Sequence, residues 1–91
     1  MPHDPARVAD TKGWLSRAAT DLRAAAADLA ADLPVLDNLV FHCQQAVEKA
    51  MKSLLTWQDE GATRDEAEHA LAIAREAFEA ILARLPETAR P

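Results

Sequence analysis

The side chains best suited to chemistry in this 91-residue chain lie in two short stretches. The first is Arg64-Asp65-Glu66-Ala67-Glu68-His69. A guanidinium grips phosphate with two parallel hydrogen bonds, and an imidazole titrates near neutral pH and can take a proton from a hydroxyl. Arg64 and His69 therefore have the group types for work on a phosphodiester. On a helix, however, five residues leave the two about 140° apart, and Asp65, Glu66 and Glu68 would repel phosphate. The competing reading is a solvated helix start whose acids suit the positive end of the helix dipole. Glu66 and His69 also form a Glu-x-x-His pair of the di-iron bundle type. That site needs a second such pair and two more inward glutamates, and Glu48 has no His three residues on. No metal or cofactor is expected.

The second stretch is the polar stripe Gln44, Gln45, Glu48, Lys49 and Lys52. It reads in two ways. One is an exposed face, or a dimer surface, with Glu48 to Lys52 in the favoured acid-before-base order. The other is a patch that contacts nucleotide phosphates or RNA, with Lys49 and Lys52 as the cations. The single cysteine, Cys43, can form no internal disulfide, and His42 with Cys43 is too small a set for zinc. Cys43 falls on an apolar helix face and is expected to be an inert core residue. Trp14 and Trp57 are expected to be packing anchors.

Three amphipathic segments must position these residues. In the first, from about Thr11 to Ala31, Leu15, Ala18, Leu22, Ala25 and Leu29 recur at three- and four-residue steps. Asp10 or Thr11 is the expected cap, Arg17 and Asp21 an outward pair four apart, and Pro34 the break. The second segment, about Val35 to Trp57, repeats the pattern with Leu36, Val40, Cys43, Val47, Ala50 and Leu54. A short acidic loop, Asp59 to Ala62, holds Gly61. Thr63 and Glu66 form a capping-box pair that opens the third segment, whose face is Ala67, Leu71, Ala74, Phe78, Ile81 and Leu85 before Pro86.

Composition agrees with helices. Alanine occurs 21 times and leucine eleven, while glycine occurs twice and tyrosine not at all. Such usage argues against a sheet, and no Gly-rich phosphate loop is present. A net charge of -5 supplies no general nucleic-acid-binding surface. No apolar run approaches the ~20 residues of a membrane span, Met1 to Asp10 lacks the apolar core of a signal peptide, and one cysteine suits a reducing cytoplasm.

The second segment is also the most specific part of the chain. Phe41-His42-Cys43-Gln44-Gln45-Ala46-Val47-Glu48-Lys49-Ala50-Met51-Lys52-Ser53-Leu54-Leu55 closely resembles the signature helix of the HEPN domain, a small prokaryotic all-helical family. Trp14-Leu15-x-x-Ala18-x-x-Asp21-Leu22 resembles that family's first helix, and Glu66-Ala67-x-x-Ala70-Leu71-x-x-Ala74-Arg75 its last. The family's further one or two helices, with a Thr-His-Asp-Leu-like turn and an Arg-Tyr-Pro-like segment, have no counterpart here. A shortened member and an omitted internal stretch would both read this way.

The resemblance implies a choice of roles. HEPN proteins often stand beside a minimal nucleotidyltransferase as toxin–antitoxin pairs. Some are metal-independent RNases that act as homodimers through an Arg followed four to six residues later by His, a spacing that Arg64 and His69 match. Others are non-catalytic and are proposed to bind nucleotides or RNA, which makes Gln44, Gln45, Glu48, Lys49 and Lys52 candidates. The expectation is thus an all-α antiparallel bundle of three long helices: an arm over 1–10, one HEPN-like domain over 11–86 and a tail over 87–91. Its role is a toxin–antitoxin-type or nucleotide- or RNA-binding component, or else a non-catalytic dimerisation or partner-binding module. A chain this small with so much alanine has little large apolar surface to bury, so a homodimer is expected.

Overall fold

The structure is a computed structural model that describes residues 3–58 and 61–91. Those residues form three long helices and one short 3-10 turn, with no strand among them. The fold is all-α, as the three- and four-residue spacing predicts. The chain divides into two compact units, residues 1–60 and 61–91.

The first unit is a hairpin of α1, Pro5–Ala30, and α2, Leu36–Trp57. Helix α1 begins at Pro5 rather than at about Thr11, so most of the expected arm is helical. Pro5 stands at the first helical position, where its missing N–H costs nothing. Asp4, not Asp10 or Thr11, is the cap, accepting a hydrogen bond from the Ala6 amide at 3.1 Å. Thr11 lies inside the helix and donates its hydroxyl back to the Arg7 carbonyl at 2.8 Å. Arg7 and His3 tie this end down. An Arg7 Nη donates to the Trp57 carbonyl at 3.0 Å, and both the guanidinium and the His3 ring lie against the Trp57 indole, at 4.9 and 4.5 Å.

Helix α2 runs antiparallel to α1: Arg7 meets Trp57, Trp14 meets Lys52, and Asp21 meets Lys49 and His42. The contact line is narrow and small. On α1 it is Ala18, Asp21 and Ala25; on α2, Ala46 and Ser53 are buried with Lys49 half-buried between them. Both helices thus use one spacing, small residue, charged residue, small residue, at steps of three and four. Small side chains let the backbones approach closely. Ser53 can be buried because its hydroxyl donates to the Ala50 carbonyl at 2.6 Å.

This corrects the expected core. Only Ala18 and Ala25 of the five-residue apolar face of α1 are buried, whereas Leu15, Leu22 and Leu29 are exposed, Leu29 at 65%. On α2, Leu36, Val40 and Val47 are exposed, and so is Cys43, which is not a core residue. The periodicity identified the helices and their apolar stripes. The stripe and the contact line are neighbours on the helix surface, and the hairpin closes on the smaller, partly polar one.

The second unit holds α3, Arg64–Leu82, and a 3-10 turn at Glu87–Ala89 within the expected tail. Thr63 caps α3 as expected, accepting from the Glu66 amide at 3.2 Å, and Asp65 and Glu66 occupy the first turn. Gly61 has φ of 99°, a left-handed conformation that favours glycine. Asp59 and Glu60, the acidic half of the expected loop, lie outside the described residues.

Gly13 sits inside α1 with nothing within 4 Å of where a Cβ would stand. Gly13→Ala should therefore raise stability by about 0.5–1 kcal/mol, by removing backbone freedom from the unfolded chain. Thermal melts of the two proteins check this, and a lower melting temperature would contradict the open space seen around Gly13.

Candidate functional site

The polar centre of the hairpin is Asp21. It is 8% exposed, in the middle of α1. Its two carboxylate oxygens have different partners. Lys49 Nζ donates to Oδ2 at 2.5 Å, and His42 Nδ1 lies 3.2 Å from Oδ1. An ionised carboxylate only accepts, so His42 must carry its proton on Nδ1. His42 and Lys49 are seven residues apart, two helical turns, and so project from the same side of α2 toward one acid. The Lys49 ammonium holds the Asp21 carboxyl below its ordinary value of 3.8; burial works against this and His42 adds to it.

Asp21 was expected to face outward and pair with Arg17. The structure turns it inward. The signal was available in part, since Asp21 falls three residues after Ala18 and four before Ala25, on the small-residue line itself. Arg17 lies instead over the Trp14 ring, its guanidinium carbon 4.8 Å from the centroid.

The five candidates on α2 divide accordingly. Lys49 is committed to Asp21. Gln45 donates from Nε2 to Glu48 Oε2 at 3.3 Å. Gln44 is exposed. The Lys52 ammonium sits 4.8 Å from the Trp14 ring centroid, so it crosses to α1 without meeting an acid. Trp14 is a packing anchor in the sense that it gathers these two cations. Trp57 anchors the N-terminal end.

Arg64 and His69 lie on α3, both inside the helix that Thr63 caps. Each faces a carboxylate one turn away on its own helix. Arg64 Nε donates to Glu68 Oε1 at 3.0 Å, and His69 Nδ1 is 3.7 Å from Asp65 Oδ2. Both pairs are exposed. The helix directs the two side chains to different sides, as the five-residue spacing requires. Among the described residues no group of three or more His, Cys, Asp or Glu is placed to hold a metal ion, and no helix is long and apolar enough to cross a membrane.

The lowered pKa of Asp21 gives a sign for acid stability. The contribution of the ionised carboxylate is fully present above 3.8 and is lost as pH falls through the lower folded value. Asp21→Asn should lower the melting temperature at neutral pH and flatten the acid limb of the stability curve. Melts followed by circular dichroism from about pH 2 to pH 7 read both effects; an unchanged acid limb would show that this carboxylate carries no such linkage.

The HEPN domain model matches residues 11–61, more than half of the chain. The match holds most of α1 and all of α2, including Asp21, His42 and Lys49, and α3 lies beyond it. No curated protein and no solved structure matches the chain. The all-α hairpin, the signature residues along α2 and the extent of this match lead to one conclusion: the chain belongs to the HEPN domain family.

Proposed function

We propose that this HEPN chain is a non-catalytic assembly module whose apolar hairpin face is covered by a second copy of itself. The observation that carries this is the mismatch between core and surface. Among the described residues the buried hydrophobic ones are three alanines, Ala18, Ala25 and Ala46, while Leu15, Leu22, Leu29, Val40 and Val47 are exposed. Along α1 the leucines lie just past the buried line in the direction of winding, and on α2 the valines lie further round in the same direction. In an antiparallel pair both displacements lead toward the same side of the hairpin, the leucines near the seam and the valines toward the outer edge of α2. Leu15, Leu22 and Leu29 recur at seven residues, as do Val40 and Val47, the spacing of a helix–helix seam. No charged residue falls among them, so two copies of this acidic chain can meet there without opposing like charges. A two-fold pair, using the same patch twice, is the commonest closed solution.

The catalytic reading of Arg64 and His69 has less support, because each is paired with an acid on its own helix and the two diverge. A second reading, of a nucleotide- or RNA-binding component of the toxin–antitoxin type with a minimal nucleotidyltransferase partner, has one observation in its favour. Arg17 and Lys52 both lie on the Trp14 ring, and neither makes an ion pair among the described residues.

Sedimentation equilibrium at micromolar concentration should give about twice the chain mass of 9.9 kDa. Leu22→Glu with Val47→Glu should return it to the monomer mass while the helical signal persists. A wild-type monomer with a cooperative melt would overturn the proposal, and so would RNA cleavage that Arg64→Ala or His69→Ala abolishes.

A further inference from the structure

Helix α3 carries an apolar seam of its own, outside the residues that the HEPN model matches. Ala67, Leu71, Ala74, Phe78, Ile81 and Leu85 follow one another at steps of four, three, four, three and four, the heptad spacing of a helix that packs along another helix. All six are exposed, the four large ones at between 39% and 61%. Leu85 stands on the turn that closes the helix, its amide donating to the Leu82 carbonyl at 3.2 Å. At 100° per residue the six cover about 80° of the helix surface, and none of them is charged. A helix of 19 residues draws most of its stability from covering such a face, so the seam needs an occupant.

The seam is complementary to itself. When a second α3 is turned end for end about a two-fold axis level with residue 76, Ala67 meets the partner's Leu85, Leu71 the partner's Ile81 and Ala74 the partner's Phe78. All six positions are then used, and each alanine faces a large side chain, which fills the layers evenly. A slip of one heptad either way leaves two of the six without a partner, and a parallel pair would set alanine on alanine and phenylalanine on phenylalanine. The antiparallel arrangement also opposes the two helix dipoles. Charges complement each other in the same register. Arg75 and Glu79 lie on one flank of the seam, so the two arginines come to the axis with a glutamate of the other copy beyond each. The opposite flank holds Ala70 and Ala77, which let the backbones approach. We infer that α3 pairs with α3 of a second copy, antiparallel along this seam. This pairing rests on the dimer proposed above, because two alanines among six positions make a weak seam for separate chains. Copies already joined through the hairpin hold their α3 helices at an effective concentration of about millimolar order, and the second contact becomes intramolecular.

Single-cysteine variants of the full chain, in a Cys43→Ala background and treated with a short bismaleimide at micromolar concentration, test the pairing. Ala77→Cys should link copy to copy, because the two Ala77 positions face each other beside the axis. Ala67→Cys should not, since its two copies stand roughly 27 Å apart at 1.5 Å per residue. Arg75→Glu alone, or Glu79→Arg alone, gathers four like charges at the axis and should slow linkage at position 77 by about tenfold or more while the helical signal persists. The two substitutions together should restore it. Leu22→Glu with Val47→Glu should abolish it by separating the copies. A wild-type dimer in which Ala77→Cys fails to link, or in which Ala67→Cys links as readily, would overturn the pairing and leave the hairpin dimer standing. An α3 seam covered by any other surface gives the first of these results. A wild-type monomer would overturn both.

Discussion

The hairpin depends on one carboxylate. Asp21 is buried in α1, and α2 supplies both of its partners, so the two helices have one axial offset at which all of its hydrogen bonds are made. Alanines permit close approach but specify little, because one alanine packs much like the next. A charge that must meet its partners removes that freedom: sliding α2 by a turn would leave Asp21 buried without Lys49 or His42, which costs far more than the displaced methyl contacts. The small residues on either side, Ala18 and Ala25 on one helix and Ala46 and Ser53 on the other, bring the backbones near enough for a short aspartate to reach across.

That choice of interface has a consequence for the surface. A hairpin closed on its small-residue line cannot also bury the leucine and valine stripe beside it. Leu15, Leu22, Leu29, Val40 and Val47 remain exposed, and Trp14 gathers Arg17 and Lys52 at the helix pair.

The same carboxylate explains why the lysines on α2 are not equivalent. Lys49 and Lys52 are three residues apart and read alike in sequence. Lys49 falls on the contact line, where it offsets the buried charge of Asp21. Lys52 falls outside that line and reaches the Trp14 ring. An ammonium committed to a buried partner cannot leave it without stranding that partner's charge, whereas one resting on an aromatic face can.

The sequence alone determined the local structure and the family. Three- and four-residue apolar steps, abundant alanine and leucine, Thr63 before Glu66 and the residues Phe41 to Leu55 were enough to predict three helices, the cap of α3 and a HEPN domain. These properties are set within a few residues along the chain, where helix geometry turns spacing directly into a face. The start of α1 was misread because proline is compatible with the first turn and incompatible with the interior, and only the Asp4 cap and the Trp57 contact show which applies. Tertiary structure decided which of two adjacent helix faces makes the contact. Sequence periodicity ranks faces by hydrophobicity and so favoured Leu15, Leu22 and Leu29. Packing also weighs how closely two backbones can approach and whether a buried charge finds partners on the opposite helix, at separations of 21 and 28 residues. No local pattern in a single helix encodes that pairing, which is why Asp21 read as an outward acid and Lys49 as a free cation.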